Sequence, residues 1–118
     1  MAQHNELGKE GEALAIGYLR ENGFEILHCN WRFAHLEIDI IASKNGWLRI
    51  IEVKSRKFYP GAFPEESVTK KKFGFLKKAA EEYLYQHPEY TKLQFDVLSI
   101  TLFNNKEPEF FLIEDVFL

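Results

Sequence analysis

Two apolar runs joined by Asn45-Gly46 constrain this chain more than any other feature of it. Residues 37–43 and 47–55 are rich in isoleucine and valine, which suit a pleated and buried strand. Asn-Gly supplies the two positive-φ positions of a tight hairpin turn. With these two as the loop, Lys44 pairs with Trp47. Counting outward, Asp39 then lies opposite Glu52, and Glu37 opposite Lys54. Opposite residues share a face, as do residues two apart on one strand. The hairpin is therefore predicted to project Glu37, Asp39, Glu52 and Lys54 from one side. Their neighbours are Ile38, Ile40, Ile41, Ile50, Ile51 and Val53.

The flanking segments complete an α/β pattern. Residues 5–22 read as a helix, with Leu7, Gly11, Leu14, Ala15 and Tyr18 on one face, Asn5 as N-cap and Asn22-Gly23 as the stop. Residues 24–31 read as a strand, and 57–66 as a loop holding two prolines. Ser67 caps a second helix reaching Gln86, with an apolar stripe of Phe73, Leu76, Ala80, Tyr83 and Leu84. Strands follow at 93–102 and 110–113. The order α-β-β-β-α-β-β predicts a mixed central sheet of about five strands flanked by helices. The 118 residues suffice for one domain, 1–118, with a core that needs no disulfide. The single cysteine, Cys29, allows no internal disulfide. The polar N-terminus lacks a signal-peptide core, and no apolar run approaches the roughly 20 residues of a membrane span. A cytoplasmic protein with no membrane attachment is the expectation.

Charge is unevenly placed. Ten of the fifteen Lys and Arg residues fall between Lys44 and Lys78, against three glutamates there, although the whole chain carries −3. A local positive field of this kind suits a polyanion. A solvated helix face gives the same pattern. Arg56, Lys57, Lys70, Lys71 and Lys72 are the candidate contacts to a nucleic-acid backbone. Lys72 shares a column with Leu76, Ala79 and Tyr83, so it borders the buried face.

Two carboxylates facing each other in an apolar hairpin repel, and one should take up a proton unless a cation sits between them. Hard oxygen ligands suit Mg²⁺ or Mn²⁺. A metal at Asp39 and Glu52 would polarise a phosphate oxygen and activate water, with Lys54 orienting that water or offsetting phosphate charge. The alternative is a solvated edge hairpin in which Glu37–Lys54 is an ordinary cross-strand ion pair. Asp96 is read as structural, anchoring a helix or Arg32. The C-terminal Phe110, Phe111, Phe117 and Leu118 belong to the core or, as the sharper alternative, to a homodimer interface.

The run Glu37-Ile38-Asp39-Ile40-Ile41-Ala42, a turn, then Ile51-Glu52-Val53-Lys54-Ser55-Arg56 resembles the signature of the PD-(D/E)XK nuclease superfamily. More closely, the chain resembles the YraN-like family of small bacterial proteins, in residues 7–101. Gly8-Lys9-Glu10-Gly11-Glu12, Tyr18-Leu19, Gly23-Phe24, Asn30-Trp31-Arg32, Val68 with Lys72, and Phe95-Asp96-Val97 carry that likeness in order. Leu36 departs from it, standing where that family more often has glycine. The resemblance implies a restriction-endonuclease-like core and Asp39 and Glu52 as metal ligands. It adds the Val53 main-chain carbonyl as a third ligand and Lys54 as the catalytic lysine. The layout is similar to archaeal Holliday-junction resolvases, in which a first-helix glutamate joins the site, and Glu12 matches that place. Glu37 is assigned to support Lys54. The leading reading is thus a metal-dependent endonuclease on branched or damaged DNA. Without a base-reading helix or zinc module, its cutting is expected to be independent of sequence. A DNA binder that hydrolyses little, or an interaction domain with a structural charged hairpin, are the alternatives.

Overall fold

The computed structural model describes residues 6–61 and 70–116. The caps expected at Asn5 and Ser67, much of the proline loop, and Phe117 and Leu118 lie outside these residues, as do the side chains of Leu7 and Lys70. The elements are α1 (Glu6–Glu21), β1 (Glu25–Phe33), β2 (Leu36–Lys44), β3 (Trp47–Lys57), α2 (Lys70–Gln86), β4 (Leu93–Leu102) and β5 (Glu109–Ile113). The predicted order holds, and β4 has both predicted ends. The strands form one mixed sheet in the order β1-β2-β3-β4-β5. Only β3 and β4 run parallel, joined through α2, while the other neighbours are antiparallel.

Local chemistry explains the joints. Asn45 and Gly46 take φ of 54° and 81°, and Lys44 pairs with Trp47, as the turn type demands. Gly23, at φ 89°, ends α1. Its N–H donates to the Arg20 carbonyl and the Phe24 N–H donates to Leu19, which satisfies two otherwise unpaired helix carbonyls.

Each face of the sheet carries its own core. On one side, Ala15 and Leu19 of α1 and Phe24 pack on Ile40, Ala42, Ile51, Leu98 and Ile100. On the other, Leu76, Ala79, Ala80 and Tyr83 of α2 pack on Leu36, Ile38, Ile41, Leu48, Ile50 and Val97. Leu36 is thus a buried core residue of the α2 side. Helix α1 comes close to β3 because Gly11 has no side chain. A Cβ there would lie 2.8 Å from the Ser55 Cβ and still nearer its hydroxyl.

A buried ion pair ties the C-terminal segment to the middle of the sheet. The Asp96 carboxylate accepts from Arg49 Nη1, Gln94 Nε2 and the Asp115 N–H, each at 2.9 Å. Arg49 also donates to Glu114 at 3.0 Å, and its guanidinium lies 5.2 Å from the Phe24 ring centroid. Asp96 is therefore structural, but its partner is Arg49 rather than a helix or Arg32. The sequence places Arg49 and Asp96 47 positions apart, and only the parallel β3–β4 register makes them neighbours.

Removing one member of a buried pair leaves the other charge uncompensated, which costs about 3–5 kcal/mol. Asp96→Ala should lower unfolding stability in urea by that order. The double change Arg49→Met with Asp96→Leu should recover most of it. Equal losses in the single and double variants would show that the pair itself contributes little.

Candidate functional site

The β2–β3 ladder is paired from Lys44↔Trp47 to Ile40↔Ile51. One step further, at Asp39 and Glu52, a side chain takes over from the backbone: the Val53 N–H donates to Asp39 Oδ2 at 2.9 Å. The alternation of β2 also slips here. Ile38 packs on the α2 side and Ile40, two residues on, packs on the α1 side. Asp39 sits at that slip, with its carboxylate turned to the edge of β3. In a strand the N–H and C=O of one residue leave on the same side. The Val53 carbonyl therefore opens toward Asp39 as well.

Glu52 is 6% exposed. Its Oε2 meets the ammonium of Lys72, on α2, at 3.2 Å. Its Oε1 is buried and finds no hydrogen-bond partner among the described residues. Burial, then the Glu52 charge, push the Asp39 carboxyl up from 3.8 to about 7, with Glu37 adding to the rise. The Val53 N–H and Lys72 act in the opposite direction. The expected conflict between two carboxylates is thus present, and Asp39 is the member that takes the proton.

Lys54 is half-buried and lines a cleft of about 450 Å³ together with Val53, Ser55, Arg56 and Ser99. This cleft begins where the carboxylates end and runs toward the C-terminal ends of β3 and β4. Its floor is the Lys54↔Ser99 step of the parallel register.

Glu12, Glu37 and Lys72 each have a neighbour beyond those expected. Glu12 does not join the carboxylate pair: among the described residues no three His, Cys, Asp or Glu side chains gather closely enough to hold a metal. Glu12 instead acts on the α1 side, where partial desolvation and then the Glu12 charge push the otherwise exposed Cys29 thiol up. Glu37 lies 3.7 Å from Arg32 of β1. The two are direct partners in the β1–β2 register. Lys72 is the counter-ion of Glu52. The column it shares with Leu76, Ala79 and Tyr83 was the signal for that. Lys57 and Lys71 are exposed and Arg56 is half-buried in the cleft wall. Ser55 and Ser99 carry no sequence motif, and only the fold brings them to the cleft.

Residues 11–100 match the model of the Uncharacterised protein family UPF0102. A UPF0102 protein of Bacteroides thetaiotaomicron is 43% identical over 100 residues, which cover 85% of this chain and 83% of that one. A UPF0102 protein of Phocaeicola vulgatus is 40% identical over 116 residues, covering 98% and 93%. Among solved structures, a Holliday junction resolvase from Archaeoglobus fulgidus is similar with a TM-score of 0.54 at 19% identity. That likeness covers 88% of this chain and 75% of the resolvase. It is a likeness of fold, the restriction-endonuclease type with a five-stranded mixed sheet. No helix among the described residues is long and apolar enough to cross a membrane.

The raised Asp39 carboxyl makes stability depend on pH with a definite sign. The folded chain keeps a proton that the unfolded chain releases between its ordinary value of 3.8 and about 7. This contribution is complete below the lower value and is lost as pH rises through the upper one. Melting temperature should therefore fall between about pH 4 and about pH 7 more steeply in the parent than in Asp39→Asn. Parallel curves for the two proteins would show that Asp39 titrates normally.

Proposed function

The chain belongs to the Uncharacterised protein family UPF0102, and we propose that it is a divalent-metal-dependent DNA endonuclease. One observation carries this reading: the buried Glu52 and the half-buried Asp39 act on each other beside the cleft that Lys54 lines, with too few donors for two charges. Glu52 Oε1 finds no hydrogen-bond partner among the described residues, and Asp39 sits near the midpoint of its titration at neutral pH. A hard cation relieves both conditions at once. Perturbed carboxylates in a cleft are a mark of functional sites.

Asp39, Glu52 and the Val53 carbonyl would hold the ion, with Mg²⁺ or Mn²⁺ suited to such oxygen donors. When bound, it supplies Lewis acidity toward a phosphate oxygen and a nucleophile from water. Asp39 gives up its proton as the site loads, so loading is favoured by rising pH. Glu52 would hold the ion in place of Lys72, whose ammonium would then be available to a backbone phosphate. Lys54, in the cleft wall, offsets the negative charge that grows on the phosphoryl oxygens. Glu12 stands outside this ligand set. The basic excess of residues 44–78 holds the DNA backbone without reading bases. Branched DNA would call for two such sites, and hence a homodimer. The single cysteine suits a cytoplasmic setting.

A second reading, a DNA-binding domain that hydrolyses little, has one observation in its favour. The Lys72–Glu52 ion pair, at 3.2 Å, already balances the Glu52 charge without a metal.

Calorimetry with Mn²⁺ separates the two. The parent should bind one ion, Asp39→Asn should lose that binding, and Lys72→Ala should bind more tightly because it removes a competitor. Equal binding by the parent and Asp39→Asn would reject the ligand assignment. Cleavage should be followed on linear, nicked and four-way DNA with Mg²⁺ and Mn²⁺. Lys54→Ala should keep most metal affinity but lose at least about 100-fold in cleavage rate. Cutting by Lys54→Ala at the parent's rate would end the endonuclease reading.

A further inference from the structure

Beyond the cleft, on β3 and β4, lies a surface that metal chemistry does not account for. Glu52, Lys54 and Arg56 alternate along one face of β3. Helix α2 covers Leu48, Ile50 and Val97 and reaches Glu52 through Lys72, and among the described residues Lys54 and Arg56 beyond it line the cleft. The parallel pairing continues one step past the strands, where the Phe58 N–H donates to the Leu102 carbonyl at 2.8 Å. This brings Phe58 beside Phe103, with ring centroids 4.9 Å apart and planes tilted by 33°. Phe58 remains 48% exposed, so packing on its neighbour hides only half of it. The Lys106 ammonium lies 4.3 Å from the Phe103 ring centroid and 3.2 Å from Glu109.

We propose that the Phe58–Phe103 pair is a stacking platform for an unpaired base of a DNA strand whose backbone follows Lys54 and Arg56 through the cleft. The proposal rests on the endonuclease reading and narrows its substrate to DNA with an unpaired stretch next to the cut.

Charge and shape favour this occupant. Lys54 and Arg56 line the cleft that leads to the platform and Lys106 lies at Phe103, which complements a phosphate backbone. Arg56 Nε is buried in the cleft wall with no hydrogen-bond partner among the described residues, and a phosphate oxygen would accept from it. A flat, exposed aromatic surface offers a duplex little, because base faces there are already stacked. To an unpaired base it offers a π-face of the kind that single-strand binders use, independent of sequence. Phe58 stands four residues beyond Lys54, about 13 Å along the strand, so the platform and the reacting phosphate engage different parts of one chain.

Binding in EDTA tests this apart from cleavage. The probes are a fully paired duplex and the same duplex carrying a single-stranded arm with 2-aminopurine beside the junction. Phe58→Ala should weaken forked DNA by at least about 5-fold and change the duplex by less than about 2-fold. The parent should quench the 2-aminopurine and Phe58→Ala should not. Phe58→Leu, which keeps apolar cover over Phe103, should behave as Phe58→Ala does, and Phe58→Trp as the parent does. Forked DNA bound equally by the parent, Phe58→Ala and Phe58→Leu would overturn the proposal, as would an equal loss on duplex. A parent that cuts no DNA with Mg²⁺ or Mn²⁺ but shows the Phe58 effect would end the endonuclease reading and leave the platform standing. A parent that cuts while Phe58 variants bind normally would do the reverse. A parent that binds no DNA would end both.

Discussion

The hydrogen bond from the Val53 N–H to the Asp39 carboxylate is the interaction on which the rest of the site depends. A buried N–H left without a partner costs about 1–3 kcal/mol, so two strands rarely part in the middle of a sheet. Here they part after Ile40↔Ile51 at little cost, because a side chain replaces the missing backbone acceptor. The parting fixes Asp39, turns the Val53 carbonyl the same way and opens the cleft that Lys54 lines. It also lets β2 switch the faces it buries, so that Ile38 and Ile40 serve different cores.

Two buried acids in one sheet show the difference between a structural and a functional charge. Asp96 collects three donors at 2.9 Å, one of them the Arg49 guanidinium, and its oxygens are saturated in place. Glu52 has a single ammonium on one oxygen and nothing on the other among the described residues. Its neighbour Asp39 responds by holding a proton. The first arrangement satisfies the Asp96 carboxylate and locks the C-terminal segment to β3 and β4. The second is incomplete by itself, and a ligand completes it. Burial is similar in both, so the count of donors, not depth, distinguishes them.

The basic excess divides the same way once the fold is known. Lys54 and Arg56 lie in the cleft wall and Lys72 lies on Glu52, while Lys57 and Lys71 face solvent. As a single block in sequence these residues carry one meaning, a positive field. In space they carry three: a local counter-ion, a lining for the phosphate path and a diffuse attraction. Parallel pairing of β3 with β4 also places Ser99 beside Lys54 and extends toward Phe103 beside Phe58, contacts that no spacing along the chain announces.

The sequence by itself determined the elements, their order and the hairpin register. Asn45-Gly46 permits few alternatives, because its two positive-φ positions fix Lys44 opposite Trp47. It also brought Asp39 close to Glu52, although the ladder ends one pair short of them and a bond from the Val53 N–H holds Asp39 there. What only tertiary structure decided is which other charges reach them. Lys72 arrives from a helix that crosses the sheet, Glu12 is left on the far side, and Arg49 rather than Arg32 finds Asp96. The physical reason is range. Turn chemistry and alternation act over a few residues and are written in the local pattern. Pairing between segments tens of residues apart depends on how helices settle on a twisted sheet, and that is fixed only when the whole core packs at once.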